Sequence, residues 1–145
     1  MSAKIVVGLD GSGAGSRAVS YAEKVARLIG NCEIILVYVI EWSPYSFQTA
    51  EENAQRHKRR EEEIKTAMER VVSPAVDALK KDGVEASGEV RHGDVADLLN
   101  TIAVERGADQ IIVARTSEGG IKRRIFGSST ANLVMHASVP VTVVG

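Results

Sequence analysis

The sequence predicts an α/β domain, a three-layer sandwich in which helices cover both faces of a five-stranded, mainly parallel sheet. Three observations carry that reading. Short apolar runs rich in β-branched residues alternate with longer segments of helical periodicity, the pattern of strand–helix–strand units joined by right-handed crossovers. Some of these runs, such as Ile34-Ile35-Leu36-Val37, have no polar residue at alternate positions, so both faces of the strand must be covered. The 145 residues, 44% of them hydrophobic, suffice for one core, and the chain reads as a single domain over residues 1–145 without repeat or low-complexity linker.

Ile5-Val6-Val7-Gly8-Leu9 is the first strand, stopped by the turn-forming string Asp10-Gly11-Ser12-Gly13. From Ser16 a helix follows, with Ala18, Tyr21, Ala22, Val25, Ala26 and Ile29 at the spacing of one face and Gly30 in the C-terminal cap position. Glu33 to Val39 is the second strand. A loop holding Trp42, Pro44, Tyr45 and Phe47 leads into Ala50 to Lys81, rich in helix formers. There the charges from Arg56 to Glu63 suit a solvated face, and Ile64, Met68, Val71, Val72, Val76 and Leu79 supply the buried stripe. Pro74 predicts a kink, or a restart capped by Ser73, and Gly83 ends the helix.

Glu85 to Val90 alternates weakly and reads as an edge strand. Gly93-Asp94, preceded by a loop with His92, caps a helix that buries Val95, Leu98, Leu99, Ile102 and Ala103, and Gly107 closes it. Gln110 to Ala114 is the fourth strand. The loop Arg115 to Gly127 follows, then a helix from Ser128 to Ala137 with Leu133, Val134 and Ala137 facing inward, and a fifth strand from Val139 to Val144.

Eighteen basic residues against 19 acidic ones leave a net charge of −1, without the overall field that would hold nucleic acid or an anionic membrane. Ile5 to Val7 is too short for a signal-peptide core or a membrane span, and the expected location is the cytoplasm. Cys32 is the single cysteine, which excludes an internal disulfide and a multi-cysteine zinc site. It reads as a small apolar filler, with only Lys24 and Arg27 near in sequence to favour a thiolate. No metal site is expected, because His57, His92 and His136 have no metal-pair spacing. Ser12 lacks the strand-Gly-x-Ser-x-Gly-helix setting of a hydrolase nucleophile, and no catalytic constellation stands out.

In open α/β sheets a ligand sits outside the carboxyl ends of the strands, where the strand order reverses and two loops part. Strand one ends in Asp10-Gly11-Ser12-Gly13. Strand four ends in a loop with Gly119, Gly120, the basic run Lys122-Arg123-Arg124, and Gly127-Ser128 at a helix start. Free backbone N–H groups and the positive end of the helix dipole suit phosphate oxygens there, although Gly-Ser is also an ordinary N-cap and Asp-Gly-Ser an ordinary turn. Gly11, Gly13 and Gly15 are evenly spaced, unlike G-x-G-x-x-G, and no Gly-Lys-Ser/Thr of a P-loop is present.

Ile5-Val6-Val7-Gly8-Leu9-Asp10-Gly11-Ser12, Val37-Tyr38-Val39, Gly93-Asp94-Val95-Ala96, Gly127-Ser128 and Val139-Pro140-Val141-Thr142-Val143-Val144 together resemble the universal stress protein family over essentially the whole chain. The resemblance implies a Rossmann-like sheet of the adenine nucleotide alpha-hydrolase-like kind, strand order 3-2-1-4-5. It also implies ATP, or a related adenine nucleotide with Mg²⁺, in the crevice between strands one and four. Asp10 would then contact the ribose or base region and the Val39 backbone the adenine edge. Ala114, Arg115, Ser117, Gly127, Ser128 and Ser129 would cradle phosphates, with Gly8, Leu9 and Val113 at the adjoining strand ends and Lys122 a second charge partner. The family motif is Gly-x-x-Gly, nine residues, then Gly-Ser/Thr. This sequence keeps Gly127 and Ser128 and carries Ala114 and Ser117 at the two leading positions. Glycine serves there for close backbone approach or positive φ, while Ser117 brings a hydroxyl and Gly119 and Gly120 bring flexibility.

The expected function is a cytoplasmic stress-response regulator that binds adenine nucleotide, not an enzyme beyond slow hydrolysis. Asp10 is the one carboxylate placed in the crevice, and phosphoryl transfer needs a positioned nucleophile and metal. The alternative is a dimeric interaction module of the same fold without nucleotide, which Ala114 and Ser117 favour. A flavin-linked or adenylating enzyme of related fold is weaker, for want of a substrate domain. The apolar strand Val139 to Val144 at a sheet edge predicts a homodimer by antiparallel self-pairing, as the resemblance also implies. Trp42, Tyr45 and Phe47, half of the aromatic residues, cover the core or form a lid or a docking surface for a protein partner.

Overall fold

The computed structural model describes residues 2–9, 13–41, 50–115 and 127–145. Along them run β1 (Ala3–Leu9), α1 (Gly13–Ile29), β2 (Cys32–Glu41), α2 (Ala50–Ala67), a π-helical turn (Met68–Val72), α3 (Ser73–Lys81), β3 (Glu85–Gly93), α4 (Val95–Arg106), β4 (Gln110–Ala114), α5 (Gly127–His136) and β5 (Val141–Val144). The strands form one parallel sheet in the order β3-β2-β1-β4-β5. Alternation of side chains across the pleat explains the continuous apolar runs. Ile5, Val7, Ile34, Leu36 and Ile112 pack toward α1 and α3, whereas Val6, Ile35, Val37, Ile111 and Val113 pack toward α4 and α5.

On the first face, α1 lies on Ala18, Ala22 and Ala26, all buried and all small. Tyr21 and Ile29, expected on that face, are exposed instead: Tyr21 flanks the alanine line and Ile29 is the last residue of the helix. The second helical layer runs through Pro74 without the expected restart. Val72 and Ser73 both have α-helical torsions, Ser73 makes no side-chain cap, and its N–H donates to the carbonyl of Met68, five residues back. Widening into a π turn just ahead of the proline relieves the clash that its ring makes with the preceding turn. Val72, Val76 and Leu79 are buried, while Ile64, Met68 and Val71 are half-buried.

Val72 reaches so deep because β3 presents Gly88 beneath it. A Cβ at Gly88 would collide with Val72 Cγ1 and stand 3.1 Å from Val76 Cγ2 and 3.4 Å from the Leu36 carbonyl oxygen. β3 is longer than the sequence predicts, pairing with β2 from Glu85↔Glu33 to Gly93↔Glu41, so His92 lies in a strand rather than in a loop. Its α4-side face is charged: Arg91 Nε is 2.9 Å from Glu89 Oε1, and Arg106 Nη1 reaches Glu89 Oε2 at 3.4 Å. Charges of this kind discourage an edge strand from pairing with another chain.

On the second face, Asp94 caps α4 by accepting from the Asp97 N–H at 3.0 Å, and Gly107 closes it at φ +64°, as expected. Leu99, Ile102 and Ala103 are buried, and Val95 and Leu98 half-buried. α5 buries Leu133, and Ala137 just after it is half-buried, but Val134, expected inward, is 50% exposed: α5 meets the core along a narrow line, and the next residue after Leu133 turns off it. β5 begins at Val141, two residues later than expected, because Pro140 has no N–H for the ladder and only its carbonyl takes part, accepting from Ile111 N at 2.9 Å. Replacement Gly88→Ala is expected to cost about 1–3 kcal/mol by forcing Val72 off the sheet. Urea denaturation checks it, with a lower midpoint and an unchanged slope.

Candidate functional site

Three ladders meet at the middle of the sheet, and they end at different heights. β1 pairs with β2 up to Leu9↔Tyr38, and β4 pairs with β5 up to Ala114↔Val144. Between β1 and β4, however, the ladder stops at Val7↔Ile112. Past that point the two inner strands part while each is still held by its outer neighbour. Chain direction is the cause: β1 leads through α1 to β2 on one side, whereas α4 brings the chain across the other face to β4. This is the switch point of the sheet, where a ligand crevice forms.

Gly8, Leu9, Val113 and Ala114 stand at the strand ends beside the parting. A Cβ on Gly8 would stand 3.0 Å from Leu99 Cδ1 and 3.1 Å from Val113 Cγ1, so the missing side chain lets α4 close the crevice from beneath. Leu9 turns to the opposite face and packs against the α1-side core. β2 outruns β1. Val39, Ile40 and Glu41 pair with Arg91, His92 and Gly93 on one side, and among the described residues no ladder covers their other edge. The Val39 backbone therefore borders the crevice. On the far side α5 starts at Gly127, at the end of the sheet where β4 finishes, so its first amides open toward the same region, and Ser129 is half-buried there.

Arg115 continues β4: its N–H donates to the Val144 carbonyl at 2.8 Å, and its guanidinium lies beside Gly145, 3.5 Å from where a Cβ would stand. Arg17 Nη2 donates to the Arg115 carbonyl at 2.8 Å, tying α1 to the end of β4. Sequence reasoning missed Arg17. The signal was a cation in the opening turns of a helix, where the dipole disfavours it. Asp10, Gly11, Ser12, Ser117, Gly119, Gly120 and Lys122 to Arg124 lie outside the described residues, as do Trp42, Pro44, Tyr45 and Phe47.

The remaining candidates do not converge. His57 pairs with Glu61 at 3.0 Å on the exposed face of α2, His92 stands 3.9 Å from Glu63, and His136 ends α5. Among the described residues no three His, Cys, Asp or Glu side chains gather as metal ligands, and no helix is long and apolar enough to cross a membrane. Cys32 is buried, and burial pushes its thiol pKa upward, with the Asp109 and Glu33 carboxylates adding to the effect. Lys24 and Arg27 do not reverse it.

A wholly parallel sheet wound in both directions from a central crevice defines a Rossmann-like α/β protein. Residues 1–145 match the model of the universal stress protein family, and the chain belongs to that family. It is 28% identical over 142 residues to the universal stress protein MJ0531 of Methanocaldococcus jannaschii, covering 97% of this chain and 81% of that one. Against the mycobacterial relatives it matches, it spans about half of their length, 47%. Among solved structures, the hypothetical protein MJ0577, described as a structure-based assignment of biochemical function, superposes with a TM-score of 0.74 at 26% identity, over 99% of this chain and 96% of that one. A universal stress protein crystallised in complex with cAMP superposes with a TM-score of 0.63 at 25% identity, over 99% and 96%.

Proposed function

We propose that this chain binds an adenine nucleotide in the β1/β4 crevice and works as a cytoplasmic stress-response regulator whose state follows nucleotide occupancy. The observation that carries the reading is the early end of the β1–β4 ladder at Val7↔Ile112, with the open edge of β2 beside it. The arrangement suits the parts of the ligand. The Val39 backbone offers hydrogen bonds to a base edge, and the first amides of α5 at Gly127, Ser128 and Ser129 offer them to phosphate oxygens. In this reading Asp10 and Ser117 keep the roles that the family resemblance implies, at the ribose or base and at phosphate, while Ala114 and Arg115 serve phosphate next to Gly8, Leu9 and Val113. With ATP, Mg²⁺ would be held largely by phosphate and water, neutralising phosphate charge. The cAMP-bound relative supports the adenine class of ligand. Turnover is at most slow hydrolysis, and the output is a change of partner or conformation.

A second reading, the same fold acting through its surfaces without nucleotide, is favoured by Ala114 and Ser117 at the leading motif positions. Calorimetric titration of the nucleotide-stripped protein with Mg-ATP and with cAMP separates the two. Micromolar binding by the native protein and its loss in Gly127→Asp are expected. No heat and no thermal stabilisation up to millimolar nucleotide would leave the second reading standing.

The assembly proposed is a homodimer paired along the edge strand over Val139 to Val144. In that assembly the apolar surface of Val134 and Met135 in α5, 50% and 75% exposed, is covered as well. Light scattering at micromolar concentration should return a dimer, and Val134→Glu with Met135→Glu should shift it to monomer.

A further inference from the structure

On the face of the sheet opposite α4 and α5, a second concavity lies apart from the floor of the β1/β4 crevice. α1 and α3 both lie on the strands yet scarcely touch each other. Between them is a cavity of about 400 Å³, in the range that holds small ligands. The α1 wall is Ser16, Val19 and Ser20, with Leu9 at its head, and the facing wall is apolar and small: Val71, Ala75, Ala78 and Leu79.

Its two ends differ in charge. Both helices run from the carboxyl toward the amino ends of the strands, so Arg70, in the π turn, stands near Leu9 at one end and Asp82 at the other. The Asp82 end is bridged. Arg27 Nη2 pairs with Glu23 Oε1 at 3.0 Å and donates to the Asp82 carbonyl at 3.3 Å, strapping α1 to the chain after α3. At the Leu9 end Arg70 makes no hydrogen bond or ion pair among the described residues. A second hollow on the other side of Arg70 and Val71 carries Arg59 together with the acids Glu62 and Glu63, so Arg70 borders both concavities.

We propose that this cleft binds a small amphipathic monocarboxylate, its apolar chain laid between α1 and α3 and its carboxylate on the Arg70 guanidinium. The donor fork of an arginine matches a carboxylate, and the alanine and valine walls take the chain out of water. From Arg70 to Leu79 the wall runs roughly 13 Å at helical rise, which suits a chain of medium length. Glu23 and Asp82 at the other end oppose a second carboxylate, so a dicarboxylate should be rejected. The site shares Leu9 with the rim of the proposed nucleotide crevice but lies on the α1 face of the sheet, and it does not depend on nucleotide binding.

Decanoate, kept below its micellar concentration, is the probe, and amide chemical shifts of the labelled full chain are the readout. Saturable shifts confined to Val19, Val71, Ala75 and Ala78 and their neighbours are expected. Affinity should fall by about tenfold or more in Arg70→Gln, the loss expected for a charge-assisted pair, and should vanish in Ala75→Phe, which fills the cleft. Sebacate and decylamine should bind more weakly than decanoate. Absence of shifts at millimolar decanoate, unchanged affinity in Arg70→Gln, or equal binding of decylamine would overturn the proposal. Arg70 is exposed, so its replacement leaves the fold intact and keeps the test decisive if Ala75→Phe does not fold.

Discussion

The opposite winding of the chain on either side of β1 and β4 is the constraint on which the molecule depends. A right-handed crossover places α1 and the α2–α3 layer on one face as the sheet grows toward β3. The same handedness places α4 and α5 on the other face as it grows toward β5. The ladder between β1 and β4 ends at Val7↔Ile112 while its neighbours continue to Leu9↔Tyr38 and Ala114↔Val144. The crevice is thus a product of topology, and side chains only shape it.

Two glycines adapt the packing to that geometry, one on each face. Gly8 yields its space to Leu99 and Val113, which brings α4 up under the crevice. Gly88 yields its space to Val72, which holds the long helical layer down on β2 and β3. Close approach at Gly88 and the π turn ahead of Pro74 belong together. The turn sets Val72 on the sheet, and Arg70 and Val71, just before it, line the gap beside α1. Packing on the sheet is therefore good around β2 and β3, and incomplete between α1 and α3.

Much of this was legible in the sequence, and the residues show why. Ile34 to Val37 and Gln110 to Ala114 announce buried parallel strands because alternating side chains meet apolar layers on both faces. Asp94 and Gly107 announce the ends of α4 because capping is local chemistry. Alternation of strands and helices announced a crevice at strand carboxyl ends, and its place between strands one and four came with the family resemblance, because alternation does not fix strand order. What could not be read depends on tertiary approach. Nothing local distinguishes Val134, which is exposed, from Leu133, which is buried, and nothing in Met68 to Val72 signals a π turn rather than a kink. Ladder lengths are equally invisible, so the extension of β3 to Gly93 and of β2 past Val39 emerged only from the register. The bond from Arg17 to the Arg115 carbonyl joins residues far apart in the chain, and no spacing rule reaches across it.

The central claim is that adenine nucleotide occupies the opening between the diverging β1 and β4 strands. Amide hydrogen exchange with and without Mg-ATP tests it most directly, since exchange reports the local stability of each backbone segment. The account predicts slowed exchange at Gly8 and Leu9, Val39 to Glu41, Val113 to Arg115 and Gly127 to Ser129, with α1 and α3 unchanged where they face each other. Unaltered exchange at all four segments, or protection confined to another face of the sandwich, would contradict it.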